Sequence, residues 1–197
     1  MKKILYSILA LIPLSSLAQS DSLELNFSVL ISEVKGDLNK DQLEDKVIVT
    51  QDTIDNYAPF SLQIFFAQTD GTFKLTVSST NVIEAQYQNG KGEYKEPGGF
   101  ESVTAKKGVI TFRYQTLKGY FEHKFRFQNE NFELIGFTQF HETAEEKTTV
   151  DFNLTNGRYI TKTFHTEKET TTIHKEKKLI RPLPRLQDIE SIFDYIY

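Results

Sequence analysis

The sequence contains no cysteine and no tryptophan, and it has five prolines among 197 residues. The absence of cysteine excludes disulfide bonds, thiol nucleophiles and a lipid anchor on an N-terminal cysteine. A bound metal is therefore the kind of cross-link still available to a secreted domain. Several enzyme motifs are also missing: the Gly-x-Ser-x-Gly nucleophile elbow, the glycine-rich phosphate loop and the His-Glu-x-x-His zinc motif.

Charge and aromatic content favour a globular domain over a nucleic-acid-binding protein. The chain carries 23 Lys and Arg against 27 Asp and Glu, which gives a formal charge of −4. A mildly acidic surface argues against nucleic acid and anionic membranes as partners. Sixteen Phe and nine Tyr supply a large apolar area for a core.

The first residues have the pattern of a secretory signal peptide. Lys2 and Lys3 precede an apolar stretch over 4–14, and Ser16-Leu17-Ala18 is a small-x-small cleavage site. The apolar stretch is too short for a membrane span. We therefore predict a signal peptide over 1–18, a single β-rich domain over 19–197, and a periplasmic or secreted location. Loss of Lys2 and Lys3 takes the formal charge from −4 to −6.

Oxygen-bearing side chains recur at alternate positions in the acidic loop, which we define as residues 36–46. Counted from Asp37, the predicted metal ligands are Asp37, Asn39, Asp41, the Leu43 carbonyl and Asp45. Ca²⁺ takes about six to eight oxygen ligands in flexible geometry, and tight loops supply them with this alternation. The alternative is an Asx-rich surface turn with solvated acids.

The acidic loop resembles the Asp-x-Asn-x-Asp-x-x-x-Asp calcium loop of FG-GAP and VCBS repeats, found in integrin-type propellers and many secreted bacterial proteins. The resemblance implies a loop between two strands that structural Ca²⁺ holds shut. The sequence departs from the family pattern at Gln42, where many such loops have glycine. The segments 70–75, 125–129 and 132–136 loosely resemble single-copy secreted proteins of unknown role, which implies no activity. Because the loop occurs once, the chain alone is not a propeller.

Short alternating segments separated by turn residues predict a mainly β fold. We expect an antiparallel sandwich or a strongly curved meander sheet, with a short C-terminal helix capped by Asp188. Apolar residues alternate over 23–31, which predicts a first strand with one buried face. The Thr- and Lys-rich segment 170–177 is typical of an edge strand. Further strands are predicted over 46–51, 60–67, 73–78, 100–105, 109–115, 120–128, 131–141, 147–154 and 158–166.

Segment 85–99 interrupts the strand pattern with four glycines and a proline. We interpret it as a long mobile connection, with contact between its tyrosines and a partner as the alternative.

Four histidines give no predicted metal site. If Asn129-Glu130 is a two-residue turn, His123 faces Gly136, and His141 lies five residues further along, about 17 Å away. His165 and His174 flank a turn, so a weak pair there stays open. We expect the histidines on solvent-exposed strand faces.

These observations predict a calcium-stabilised β-domain that binds a protein or glycan ligand at the cell envelope, or has a structural role there. The alternative is a hydrolase of envelope polymers whose catalytic carboxylates the sequence does not identify. An enzyme requires titratable groups that converge in a concave site, whereas a flat aromatic or polar face favours binding.

The signal peptide is tested by the intact mass of the protein isolated from its native host. We expect a mass that corresponds to loss of about the first eighteen residues, because signal peptidase cleaves after small-x-small sites. A protein that keeps Met1 to Ala18 would contradict the predicted location.

Overall fold

The computed structural model describes residues 25–95 and 97–197, so the predicted signal peptide and Leu23 lie outside the described residues. Eleven strands form two antiparallel sheets, which confirms the predicted fold class. The first sheet has the order β1-β2-β3-β4, and the second runs β11-β10-β9-β8-β7-β6-β5. The strands are β1 Val29–Gly36, β2 Asp45–Gln51, β3 Phe60–Ala67, β4 Phe73–Ser79, β5 Gly99–Lys106, β6 Val109–Thr116, β7 Gly119–Gln128, β8 Asn131–Glu142, β9 Glu146–Asn153, β10 Arg158–His165 and β11 Thr170–Lys177.

The two sheets pack face to face around one core. Alternate residues of β2 and β6 point into it, as the period of two along each strand requires. Burying one phenylalanine completely stabilises the fold by about 1.5–3 kcal/mol, and six are at most 1% exposed. These are Phe112, Phe121, Phe125, Phe132, Phe137 and Phe152.

The C-terminal segment packs against the core without an α-helix. The predicted short helix is two 3₁₀ turns, Leu186–Asp188 and Ile192–Tyr195. Ser191, and not Asp188, caps the second turn, because its side chain accepts a hydrogen bond from the Phe193 N–H. Among residues 25–95 and 97–197, no helix is long and apolar enough to cross a membrane.

The first and last strands differ in how well the sequence predicted them. The alternation over 23–31 predicted a buried face, but β1 begins at Val29, and Leu25, Val29, Leu30 and Ile31 are exposed. This part of β1 lies at the edge of the smaller sheet, where the core does not reach it. Every residue of β11 is exposed, which confirms the predicted edge strand.

His123 lies in the core, so the expectation that it faces solvent was wrong. The Asn129-Glu130 turn pairs Gln128 with Asn131 as predicted, but an irregularity between Lys124 and Phe125 shifts the register. His123 therefore pairs with Phe137. It is fully buried because the alternation along β7 places it on the same face as Phe121 and Phe125.

The contacts of His123 are an aromatic cage and one carbonyl group. Its ring lies among Tyr114, Phe121 and Phe137. Nε2 lies 2.8 Å from the Tyr195 carbonyl oxygen, so the neutral ring donates its proton there. Nδ1 is buried with no partner among the described residues. Burial lowers the pKa of His123 to about 4, although the Tyr195 carbonyl opposes this shift.

We expect His123 to destabilise the protein in acid. Its pKa in the folded state lies below the value of about 6.5 for an unfolded chain. The unfolded state therefore takes up the proton first as the pH falls, and stability is lost between about pH 6.5 and pH 4. The loss is about 3 kcal/mol. Denaturant unfolding at pH 7 and pH 4 measures it, and His123→Phe should remove this part of the pH dependence. The matched variant His141→Phe, at an exposed strand position, should keep it. Equal pH dependence in both variants would contradict the assignment.

Candidate functional site

The acidic loop joins β1 to β2 at one end of the smaller sheet. Gly36 and Asp45 are paired across the two strands, so residues 37–44 form the connection. Leu38 is 1% exposed and anchors the loop in the core. The turn of β5 and β6 lies against this loop, since a Cβ on Gly108 would contact the Asp37 and Leu38 carbonyl oxygens at 3.6 and 3.8 Å.

Asp37 organises the first half of the loop through its carboxylate. Oδ1 accepts hydrogen bonds from the N–H groups of Lys40 and Asp41 at 2.7 and 3.2 Å, and Oδ2 accepts from Gln42 at 3.1 Å. Lys40 and Gln42 have φ values of 68° and 70°. The positive φ values on either side of Asp41 turn successive N–H groups toward one point, where the Asp37 carboxylate is the anion that they bind. Gln42 therefore adopts the left-handed conformation that glycine adopts without steric cost.

Asn39 and Asp41 face each other within the loop. Asn39 Nδ2 donates to Asp41 Oδ2 at 2.8 Å, and the Asp41 N–H donates to Asn39 Oδ1 at 3.0 Å. Asp41 Oδ1 accepts from the Leu43 N–H at 2.8 Å. The structure thus brings Asp37, Asn39 and Asp41 together around a short, tightly turned backbone.

The Asp45 side chain is buried, whereas those of Asp37, Asn39 and Asp41 are partly or fully exposed. Its side chain is inaccessible to solvent, and its two oxygens accept from different backbone segments. Oδ2 accepts from the Leu38 N–H at 2.8 Å, and Oδ1 accepts from the Ala67 N–H at 2.9 Å. Burial raises the pKa of the Asp45 carboxyl, the two N–H groups lower it, and the Asp41 carboxylate raises it further. A cation between Asp41 and Asp45 would relieve this repulsion.

The donor set has the chemistry that Ca²⁺ requires. Carboxylate and amide oxygens are hard ligands, and each carboxylate oxygen that accepts one hydrogen bond keeps a second lone pair. In the part of the chain that the structure describes, no group of three or more His, Cys, Asp or Glu side chains lies close enough to hold a metal ion. The Leu43 carbonyl and the Asn39 amide would therefore have to complete any ligand set.

His165 and His174 do not form the histidine pair that the sequence left open. His174 pairs with Thr161, and His165 pairs with Thr170, so the two are not opposite each other. His165 Nε2 lies 2.8 Å from Thr172 Oγ1.

A cavity of about 580 Å³ opens at the other end of the sandwich. It was missed from the sequence because its walls come from six parts of the chain: β1, β2, β3, segment 84–101, β6 and the C-terminal turn. Segment 85–99, which we expected to be a mobile connection, forms backbone hydrogen bonds to residues 57 and 58. The N–H groups of Gln86 and Tyr87 donate to the carbonyls of Ala58 and Tyr57 at 3.2 and 3.0 Å.

Comparison with protein-family models, with curated proteins and with solved structures found no match.

Asp45→Asn tests the structural role of the buried carboxylate. Asparagine keeps one acceptor oxygen but places an NH₂ group against a backbone N–H, so a buried donor loses its partner. We expect a destabilisation of about 1–3 kcal/mol, measured by denaturant unfolding at pH 7 in the presence of chelator.

The matched control for this test is Asp151→Asn. The Asp151 side chain is 55% exposed and lies 3.8 Å from Arg158, so its loss should change stability by at most about 0.5 kcal/mol. Equal effects of the two substitutions would contradict the role given to Asp45.

Proposed function

We propose that the protein is a periplasmic or secreted β-domain, stabilised by one structural Ca²⁺, with a binding or structural role at the cell envelope. The Ca²⁺ ligands are Asp37, Asn39, Asp41, the Leu43 carbonyl and Asp45. The observation that carries the proposal is the oxygen-rich loop itself, in which Asp37, Asn39 and Asp41 bind the turned backbone or each other and Asp45 is buried where β2 begins.

The position of the loop supports a structural rather than a catalytic metal. Asp45 begins β2 and also accepts a hydrogen bond from the end of β3, so the loop is tied to three strands of the smaller sheet. Closing such a loop costs chain entropy, and the Asp41 carboxylate repels that of Asp45 without a cation. A Ca²⁺ ion that binds only the folded protein offsets both costs.

Addition of Ca²⁺ should raise the melting temperature, and chelator should lower it. A ligand that binds only the folded state stabilises it by about 2.7 kcal/mol at a hundredfold excess over Kd. For a domain of this length that corresponds to a rise of about 5–10 °C. Extracellular calcium modules commonly have Kd values of about 10⁻⁴ to 10⁻³ M. Mg²⁺ should give a smaller rise, because it demands octahedral geometry and loses water reluctantly.

Two aspartate variants distinguish the loss of a Ca²⁺ ligand from the loss of one negative charge elsewhere in the protein. Asp41→Ala should abolish the response because it removes a proposed Ca²⁺ ligand. The variant should still fold, since the Asp41 side chain is exposed. Asp70→Ala should keep it, because Asp70 binds only Thr72 in a hairpin turn. A wild-type melting temperature that is indifferent to millimolar Ca²⁺ and to chelator would contradict the proposal.

The alternative function is hydrolysis of an envelope polymer. It requires carboxylates that converge in a concave site, and Glu84 and Glu101 both line the cavity. Both already have partners. Glu84 Oε1 accepts from Ser191 Oγ at 2.6 Å, and Glu101 Oε2 binds Arg113 Nε at 3.0 Å. This pairing favours a binding role over general acid and base catalysis.

A further inference from the structure

We propose that the cavity between the open ends of the two sheets, at the end opposite the acidic loop, is a binding site for a neutral saccharide. This inference rests on the proposed binding role and names its ligand class. The cavity measures about 580 Å³, within the size range of small-ligand sites.

A row of packed aromatic rings forms part of the cavity wall. The ring centroids of Phe60 and Phe100 are 5.8 Å apart, those of Phe100 and Tyr114 are 6.0 Å apart, and those of Tyr114 and Phe193 are 6.3 Å apart. Tyr114 is buried and its hydroxyl donates to the Val82 carbonyl at 2.7 Å, so it supports the partly exposed rings of Phe100 and Phe193. Rings of this kind pack against the apolar C–H faces of a sugar.

Side-chain amides supply the polar part of the cavity. Gln51 Nε2 donates both of its protons, to the Ala58 carbonyl at 3.0 Å and to Gln86 Oε1 at 2.9 Å. This arrangement fixes both amides. Among the described residues, the Gln51 oxygen and the Gln86 NH₂ group have no hydrogen-bond partner, so they remain as one acceptor and one donor for a ligand. Gln88 and Gln115 add further amides at the rim.

The charges of the cavity favour an uncharged ligand. Three of the described lining side chains are charged: Glu84, Glu101 and Lys95. Arg113 pairs with Glu101, whereas Glu84 accepts a hydrogen bond from the neutral Ser191 hydroxyl, and the Lys95 ammonium lies 5.3 Å from the centre of the Tyr87 ring. The charges of Glu84 and Lys95 are opposite in sign, so a ligand of either charge would be attracted by one and repelled by the other. Aromatic faces with donors and acceptors of no net charge match the surface of a neutral sugar.

The cavity and the acidic loop are independent sites. Gln51 ends β2 and Asp45 begins it, so the two lie about 20 Å apart along the strand. A ligand at one end can therefore be tested without disturbing the other.

The test is a titration of the mature protein with neutral trisaccharides of glucose, N-acetylglucosamine, mannose and xylose, followed by NMR of the glutamine side-chain amides and by calorimetry. We expect saturable binding of at least one of them, with shifts at Gln51 and Gln86. The charged relatives trigalacturonate and deacetylated chitotriose should bind at least about tenfold more weakly, because their charges are not matched.

Tyr94→Ala is the test variant and Tyr57→Ala the matched control. Both tyrosines are exposed, at 69% and 50%, so neither substitution should impair folding, and only Tyr94 lines the cavity. Tyr94→Ala should weaken binding about threefold or more, and Tyr57→Ala should not. Failure of every neutral trisaccharide, tighter binding of a charged one, or equal effects of the two variants would overturn the inference. Asp41→Ala should bind the sugar like the wild type, so loss of the calcium response and loss of sugar binding are distinguishable.

Discussion

The buried carboxylate of Asp45 is the constraint on which the acidic end of the sandwich depends. Its two oxygens accept hydrogen bonds from Leu38 and Ala67, which belong to the β1–β2 connection and to the end of β3. An unpaired buried carboxylate would be costly, so both backbone segments must stay in place. This contact positions the base of the loop, and the Asp37 carboxylate then gathers the N–H groups of Lys40, Asp41 and Gln42 above it.

The two ends of the sandwich have different chemistry for a physical reason. At the acidic end, short strand connections bring backbone N–H groups and carboxylates together, and Leu38 fills the space between the sheets. At the other end, residues of segment 85–99 and of the C-terminal turn line a cavity together with Phe60 and Phe100. Structural stabilisation and ligand binding can therefore occupy opposite ends of one core.

Most strands were predicted correctly, because a strand with one buried face has alternating apolar and polar residues in its sequence. It also predicted the Asn129-Glu130 turn, since both residues tolerate positive φ in a two-residue hairpin. It failed for His123, although the alternation of β7 places His123 on the same buried face as Phe121 and Phe125, because a polar residue type was taken to indicate a solvent-exposed face. The Asp45 contact with Ala67 and the walls of the cavity were inaccessible for another reason: both join residues that only the tertiary fold brings together.

Anomalous difference density from a crystal grown with millimolar Ca²⁺ would test the calcium site directly. We expect one strong peak inside the acidic loop, with oxygens of Asp37, Asn39, Asp41, Leu43 and Asp45 at about 2.3–2.6 Å from it. A loop without a peak, while its hydrogen bonds match those described above, would show that the acids form only a polar turn and would contradict the claim.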